Sequence, residues 1–235
     1  AEQNRLERAI VDYTEVIDKM PDAPAALKAQ ARVARGVAYG LQGDMKREIE
    51  DYTEVIDKMP DAPAELKAQA RVNRGVAYGL QGDTKQAIAD CSEVIDKMPD
   101  APAALKARAL FTRGAACVLQ GDTEQAIADC SEVIEMPDAP AELKAKARVT
   151  RGVAYDKQGD SEQAIADYTE VIDKMPNAPA ALKAPALFAR GVAYVLQGDR
   201  ERAIADFTAV IEMPDAPAKL KHMAKRLLDQ MGNDS

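Results

Sequence analysis

The stretch RGVAYGLQGDT, residues 74–84, places three glycines just ahead of a hydroxyl residue. Glycine-rich segments before a helix often hold phosphate through free backbone N–H groups. In a phosphate-binding loop a Lys follows the last Gly, whereas here Asp83 follows Gly82 and puts a negative charge where phosphate would lie. The stretch is therefore interpreted as a structural element, and nucleotide binding is not expected.

Nearly the same string occurs five times along the chain. The spacing between successive Arg-Gly pairs is 39, 39, 38 and 39 residues. The shorter step has a visible cause, because VIDKMP becomes VIEMP at residues 133–137 and again at 210–214. Repeats this regular are typical of a solenoid, in which each unit packs only on its neighbours. The pairs begin at Arg35, Arg74, Arg113, Arg151 and Arg190.

Each repeat predicts two helices. The first covers residues 64–81, with Pro63 at its first position, and Gly82 forms the turn that ends it. Asp83 with Gln86 three residues later predicts a capping pair for the second helix. Apolar residues at spacings of three and four follow, and Pro99 ends the second helix. The pattern predicts an all-α fold.

These residues resemble the tetratricopeptide repeat, whose pattern has Gly and Tyr on the first helix, Gly at the turn, Ala and an aromatic on the second helix, and a closing Pro. The second repeat has Gly75, Tyr78, Gly82, Ala87, Cys91 and Pro99 at those spacings. Cys replaces the aromatic there, whereas other repeats have Tyr52, Tyr168 and Phe207. Each unit is longer than the usual tetratricopeptide repeat, and its extra residues lie around the sequence DAPAELKAQ. In length it is similar to the 39-residue units of bacterial arrays. The resemblance implies a right-handed α-solenoid, or superhelix, of about twelve helices that binds proteins.

The repeats divide the chain into one solenoid domain spanning residues 1–235. We expect a half repeat at 4–20, full repeats at 23–60, 62–99, 101–137, 139–176 and 178–214, and a capping helix at 216–231. In the capping helix Asp229 replaces the Gly, and Lys225 and Arg226 suit a solvent-facing end. The amino-terminal half repeat is expected to leave a bare apolar face that would permit head-to-tail self-association. Its residues are Ile10, Tyr13, Val16 and Ile17.

Composition narrows the classes of partner. The 39 acidic residues outnumber the 31 basic ones, which argues against nucleic acid because phosphate neutralisation needs a dense basic face. No apolar run approaches a membrane span, and no charged-then-apolar leader is seen at Ala1. We therefore expect no membrane partner and favour the cytoplasm, with a secreted or periplasmic location left open.

Residues for catalysis or metal binding are scarce. The only histidine, His222, lies in the last predicted helix, so no Ser/His or Cys/His relay can be assembled from several repeats. Metal-binding spacings of Cys, His or acidic residues are missing, and no cofactor is expected. The chain is accordingly predicted not to be an enzyme. The three cysteines are expected to be buried thiols that act as small hydrophobes: Cys91, Cys117 and Cys130.

Three sets of charged residues recur once per repeat and predict charged stripes. The carboxylates of the second helices are expected to lie on a solvated face, and the lysines to form a basic stripe that steers a partner. The Arg of each Arg-Gly pair is expected either to form ion pairs between repeats or to make a carboxylate-binding line. The acidic set is Asp51, Asp90, Asp129, Asp167 and Asp206, and the basic set is Lys28, Lys67, Lys106, Lys144 and Lys183.

The resemblance implies that the first helices line a concave groove, through the positions three before the Gly and one, four and five after it. The apolar character of these residues favours an extended or helical apolar segment as ligand. For the Leu at the last position, packing between repeats is the alternative. The expected groove residues are Val33, Val37, Val72, Val76, Phe111, Ala115, Val118, Val149, Val153, Asp156, Phe188, Val192 and Val195, with Gly40, Leu41, Gly79, Leu80, Leu119, Lys157 and Leu196 at the remaining positions.

The predicted function is therefore a non-enzymatic scaffold that binds a protein or peptide segment in its concave groove. Two alternatives stay open: a repeat protein that self-assembles through its half-repeat ends, and an engineered or recently duplicated scaffold without an evolved ligand.

Two residues break the pattern. Glu48 takes the Ala position opposite Gly36, so it is expected to be partly exposed or bonded to Arg35. Pro185 lies inside a first helix, which is expected to kink or restart there.

Overall fold

The computed structural model describes residues 2–233 of the chain. In that range it contains helices and no strand. A π-helical segment, Glu54–Lys58, extends the third helix. The twelve α-helices are α1 Glu2–Lys19, α2 Ala25–Leu41, α3 Met45–Thr53, α4 Ala64–Gln81, α5 Thr84–Lys97, α6 Ala103–Gln120, α7 Thr123–Glu135, α8 Ala141–Gln158, α9 Ser161–Asp173, α10 Ala180–Leu196, α11 Arg200–Glu212 and α12 Ala218–Asn233.

The helices form two compact units, Ala1–Ala116 and Cys117–Ser235, with the boundary inside α6. In the first unit α2 packs on α1 and α3, and α4 packs on α3 and α5. In the second unit α8 packs on α7 and α9, and α10 packs on α9 and α11. Each second helix thus contacts its own first helix and the next one, and the prediction of an all-α solenoid of helical repeats is confirmed. That the repeats form a single domain stays a prediction.

The turn between the two helices of a repeat has the predicted chemistry. Gly82 has a φ of 85°, a left-handed conformation that Gly adopts without a Cβ penalty. The Asp83 side chain accepts a hydrogen bond at 3.2 Å from the backbone N–H of Gln86. Pro63, however, precedes α4 as its N-cap residue with a ψ of 139°, so it does not occupy the first helical position.

The first glycine of each repeat allows close contact with the second helix. A Cβ on Gly36 would lie 2.6 Å from the ring of Tyr52, and one on Gly191 would lie 2.7 Å from the ring of Phe207. A Cβ on Gly75 would lie 3.0 Å from the sulfur of Cys91. Side chains at these positions are therefore excluded by the ring or thiol that fills the core.

The lysines of the predicted basic stripe close the loops between repeats. The ammonium of Lys67 donates to the carbonyl of Pro60 at 2.9 Å, and that of Lys106 donates to Pro99 at 2.6 Å. Lys28, Lys183 and Lys221 donate in the same way to the Pro seven residues earlier. For Lys28, Lys67, Lys106 and Lys183, this bond to the long loop gives the recurring lysine a structural role.

Pro185 does not interrupt its helix, so the predicted restart is wrong, whereas the alternative of a kink stays a prediction. Helix α10 continues from Ala180 to Leu196 through the proline. Pro185 is the sixth helical residue, so the ring removes one N–H bond close to the helix start. The N–H groups of Leu182 and Lys183 both reach the carbonyl of Pro179, at 2.8 and 3.0 Å, and hold the first turn.

Candidate interaction surface

The structure separates the predicted groove residues by their burial. Val33 packs in the core with Tyr52 and Val55, and Val72 packs with Cys91 and Val94. These positions present no side chain to a partner, and Val118 is buried as well, which corrects the expectation for all three. Val37 and Val195 are exposed. The half-buried members are Val76, Phe111, Ala115, Val149, Val153, Asp156, Phe188 and Val192.

The leucine five residues after the Gly is exposed in four repeats, so the alternative that it packs between repeats is wrong. The exposed fractions are 69% for Leu41 and 71% for Leu80 in the first unit, and 68% for Leu119 and 72% for Leu196 in the second. A single exposed Leu needs no explanation, but an apolar residue left exposed at the same position of four repeats is a candidate contact point for a partner. We call Leu41, Leu80, Leu119 and Leu196 the exposed leucines.

The fourth repeat has Lys157 in place of the exposed Leu. Its ammonium donates a hydrogen bond at 2.6 Å to the carbonyl of Val118. In the fourth repeat this position thus makes a polar contact. In the second unit the exposed leucines are Leu119 and Leu196.

Each unit has a cavity lined by at least one predicted groove residue. In the first unit a cavity of about 800 Å³ is lined by Leu6, Leu41 and Arg47, among others. In the second unit Phe188, Met223 and Leu227 line a smaller one of about 140 Å³. The ring of Phe188 also lies 5.7 Å from that of Phe207, centre to centre, so part of Phe188 belongs to the core.

The acidic stripe is buried, and the half-buried Arg stripe is bonded to it. Arg74 donates from Nε and Nη2 to the two carboxylate oxygens of Asp90, both at 2.7 Å, and Asp90 is 4% exposed. Arg74 also donates from Nη1 to the hydroxyl of Thr53 on the preceding second helix, at 2.9 Å. We call this arrangement the Arg–Asp clamp. It recurs at Arg35 with Asp51, Arg151 with Asp167, and Arg190 with Asp206.

The clamp corrects the expectation that the acidic set lies on a solvated face, because these carboxylates are buried. The closest ion pair joins helices of the same repeat. The expected ion pairs between repeats are also present, from Arg74 to Asp57 at 3.6 Å, from Arg113 to Asp96 at 3.7 Å and from Arg190 to Asp173 at 3.5 Å. The Arg–hydroxyl bond crosses to the preceding repeat as well, as Arg113 to Ser92 shows at 3.1 Å. The hydrogen bonds that Arg35 donates to Asp51 raise the pKa of Arg35, although burial acts in the opposite direction. With its guanidinium engaged in this way, the Arg is a structural residue. A sequence signal existed, because Arg and Asp keep a spacing of about 16 residues in every repeat while neighbouring charged positions vary.

A buried tyrosine hydroxyl has a carboxylate acceptor in two repeats. Tyr52 donates to Glu48 at 3.3 Å, and Tyr168 donates to Asp156 at 2.7 Å. Glu48 is half-buried, as expected, but its partner is Tyr52 and it lies against Gly40, on which a Cβ would be 2.6 Å from the carboxylate. Burial raises the pKa of Glu48 and that of Asp156. Glu48 lies on a second helix and Asp156 lies on a first helix, so they occupy different positions of the repeat. The repeat pattern in the sequence therefore did not show that both bind the same tyrosine position.

The cysteines are buried and none forms a disulfide, as predicted. Burial, together with the nearby Asp129 carboxylate, raises the pKa of Cys130 to about 12, which makes the thiolate scarce near neutral pH. In residues 2–233 no group of three or more His, Cys, Asp and Glu side chains is placed to hold a metal ion. None of the helices in the described range is both long and apolar enough to cross a membrane.

Known structures share this architecture. YrrB, described as a TPR protein with an unusual peptide-binding site, is 17% identical over 91% of this chain and 97% of that one, with a TM-score of 0.61. TTC0263, a thermophilic TPR protein from Thermus thermophilus, is 14% identical over 85% and 98%, also with a TM-score of 0.61. MamA is 23% identical over 75% and 92%, with a TM-score of 0.58. At these identities the likeness concerns the fold alone.

Comparison with family models identifies the repeats themselves. No curated protein sequence matches the chain. Three models of the tetratricopeptide repeat match residues 69–101, 107–128 and 149–218. Together these segments cover more than half of the sequence, and they contain most of the glycines, clamps and exposed leucines described above. The chain therefore belongs to the tetratricopeptide repeat family.

Proposed function

We propose that the chain is a protein-interaction scaffold that binds an apolar segment of a protein or peptide on the surface formed by its first helices. The observation that carries the proposal is the recurrence of the exposed leucines, each about 70% exposed, at one position of the repeat. The peptide-binding site named for YrrB is a property of that protein, and it makes the same class of ligand a reasonable choice here.

The energetics favour a ligand that contacts more than one repeat. Full burial of one leucine contributes about 1.5–3 kcal/mol, which is less than the free energy lost when two molecules associate. Two leucines in one unit, together with Val37 beside Leu41 or Val195 beside Leu196, offer about twice that. An extended or helical apolar segment long enough to reach both is the ligand we propose.

The proposed role of this surface is binding and not catalysis. The single histidine in the sequence, His222, lies on α12 and is exposed. The buried Asp and Arg residues are used in the clamps. An acidic chain with a formal charge of −8 also favours a protein partner over nucleic acid or an anionic membrane.

A displayed peptide library selected against the full chain tests the proposal. The counter-selection uses a variant in which the exposed leucines Leu41, Leu80, Leu119 and Leu196 are all replaced by Glu. We expect apolar peptides that are retained by the wild type and lost on the variant. Selection of no peptide, or retention of the same peptides by both proteins, would contradict the proposal and favour a scaffold without an evolved ligand.

A further inference from the structure

Arg108 of α6 carries a positive charge that the fold does not neutralise. The other arginines of α2, α4, α6, α8 and α10 each form an ion pair with an aspartate, as Arg71 does with Asp90 at 3.8 Å. In the described part of the chain Arg108 has no ion pair, and its side chain is exposed. At the equivalent position of the next repeat Lys146 binds Glu142 at 2.7 Å. The charge of Arg108 therefore stays available for an anion from outside the chain.

A buried amide holds the guanidinium of Arg108 in place. Its Nη2 donates to Oδ1 of Asn73 on α4 at 3.0 Å, and Asn73 is 8% exposed. The Asn73 side chain also hydrogen-bonds the hydroxyl of Tyr52 on α3, which donates in turn to Glu48 at 3.3 Å. Because a bonded network restricts the side chains that it contains, the guanidinium has less conformational freedom to lose on binding than a lone surface arginine has.

The fold that the repeats share does not require Arg108 or Asn73. The other repeats form the same pairs of helices with different residues at both positions. The Arg108–Asn73 bond is thus specific to one place in the chain. The other residues are Gln30, Gln69, Lys146 and Pro185 at the position of Arg108, and Ala34, Thr112, Thr150 and Ala189 at the position of Asn73.

Asn73 places this charge in line with an exposed leucine. Asn73, Val76 and Leu80 follow one another at spacings of three and four residues, so they lie on one face of α4. With a rise of about 1.5 Å per residue, the distance along the helix axis from Asn73 to Leu80 is about 10 Å. On α6, Arg108 shares a face with the half-buried Phe111, three residues later. An apolar strip on the two first helices of the first unit therefore ends at a guanidinium.

We propose that Arg108 binds the carboxylate of an acidic side chain in the apolar segment that docks on Val76, Leu80 and Phe111. This contact rests on the proposed function and adds to it the chemistry of the ligand. The bond to Asn73 uses a single N–H of the guanidinium, and the others remain for the oxygens of a carboxylate. A basic residue at the same point of the segment would be repelled, so Arg108 also selects against basic ligands.

The geometry sets the spacing within the ligand. A length of about 10 Å is covered by about three residues of an extended segment or by about seven residues of a helical one. We therefore expect the acidic residue at one of these two spacings from the apolar residue that covers Leu80.

Selection of displayed peptides tests the proposal. A library of random peptides is selected in parallel on the wild-type chain, on Arg108→Gln and on Arg8→Gln. Arg8 is exposed on α1, so its replacement removes the same charge from a different helix and serves as the control. We expect Asp or Glu to be enriched at one position of the peptides that the wild type and Arg8→Gln retain. With Arg108→Gln this enrichment should be lost while the apolar positions are kept.

A titration of one selected peptide measures the contact itself. The labelled peptide is prepared with its acidic residue and with the corresponding amide, both with an amidated C-terminus, and fluorescence anisotropy is the readout. We expect Arg108→Gln and the amide peptide each to weaken binding about tenfold, and their combination to weaken it no further. Asn73→Thr introduces the residue of the fourth repeat and should weaken binding of the acidic peptide alone, because Asn73 acts by positioning Arg108. Circular dichroism checks that each variant retains its fold.

Several results would overturn the contact and leave the proposed function in place. They are selected apolar peptides without an enriched acidic residue, an enrichment that persists with Arg108→Gln, and losses of affinity that add up in the combined titration. Loss of binding on amidation of the C-terminus would also overturn it, since the carboxylate would then be that of the chain end. Selection of no peptide by the wild type would overturn both this contact and the proposed function.

Discussion

The guanidinium of Arg74 joins three helices, since it binds Asp90 on α5 and Thr53 at the end of α3 from its place on α4. Both partners of the ion pair are shielded from water, Asp90 almost completely. A buried pair contributes little beyond its own desolvation cost, but the loss of one partner leaves an uncompensated charge. The clamp therefore matters more for the register of the helices than for net stability.

Asp90→Ala tests the clamp. We expect a loss of up to about 3–5 kcal/mol in the free energy of unfolding, because Arg74 would lose its bidentate partner and keep only the exposed Asp57 carboxylate, 3.6 Å away. The measurement is urea unfolding followed by circular dichroism. Glu65→Ala, which removes an exposed carboxylate from α4, is the matched control and should change stability by less than about 0.5 kcal/mol. Equal losses of unfolding free energy in the two variants would show that the clamp contributes no more to stability than an exposed carboxylate does.

The hydrogen bond between Tyr168 and Asp156 predicts that a second substitution restores stability lost through the first. Tyr168→Phe alone leaves Asp156 half-buried without its donor and should cost about 1–3 kcal/mol. Addition of Asp156→Val reproduces the combination that the fifth repeat already has, Phe207 with Val195. The double variant should recover most of the loss in a double-mutant cycle of unfolding free energies. Additive losses in the two substitutions would contradict the pairing.

Asp156 also predicts a pH dependence. Burial raises its pKa, although the bond from Tyr168 acts in the opposite direction. The folded chain therefore holds a proton on Asp156 at pH values where the unfolded chain has lost it. Its contribution to stability is fully present below the ordinary carboxyl pKa and is lost as the pH rises through the raised value.

The difference in unfolding free energy between the wild type and Asp156→Val, followed from about pH 4 to pH 8, checks this sign. Relative to the variant, the wild type should lose stability as the pH rises through the lower part of this range. A difference that does not change with pH, or that changes in favour of the wild type, would contradict the pKa shift.

At the scale of helices, turn chemistry made the boundaries predictable. The expected first helix over residues 64–81 is the observed α4, because Gly82 and Asp83 act only locally. Burial was less predictable. Asp90 shares a spacing of three with Glu93 and Asp96, and periodicity gives the angle of a side chain around its helix. It does not show that Arg74, 16 residues away, reaches that angle from another helix.

The exposure of the leucines also could not be predicted from the sequence pattern. An apolar residue on a helical face reads as core in sequence, and Leu80 was open to that interpretation. Its exposure depends on how closely neighbouring first helices approach at their ends, which is a property of packing between elements. The same limit applies to Val33 and Val72, which resemblance to the family placed in the groove and packing placed in the core.

Helix α10 carries a destabilising residue that can be replaced. Pro185→Lys introduces the residue that α8 has at the equivalent position, Lys146, and restores one backbone N–H. We expect an increase of up to about 3 kcal/mol in the free energy of unfolding. The reciprocal substitution, Lys146→Pro, should destabilise α8 by a similar amount. Thermal unfolding of both variants checks the pair, and a loss of stability in Pro185→Lys would contradict this explanation.

For the molecule as a whole, the exposed leucines recur in both units and offer apolar area with little polar specificity. Family membership and fold follow from the repeats alone. The identity of a ligand does not, because it depends on the few side chains that packing leaves exposed.

The most direct test is a calorimetric titration of the best selected peptide into the full chain, with Leu80→Glu as the variant and Val11→Glu as the control. Val11 is 63% exposed on α1, so its replacement adds the same charge away from the exposed leucines. We predict a loss of about tenfold or more in affinity for Leu80→Glu and an unchanged affinity for Val11→Glu. Equal affinities for the wild type and Leu80→Glu would contradict the account.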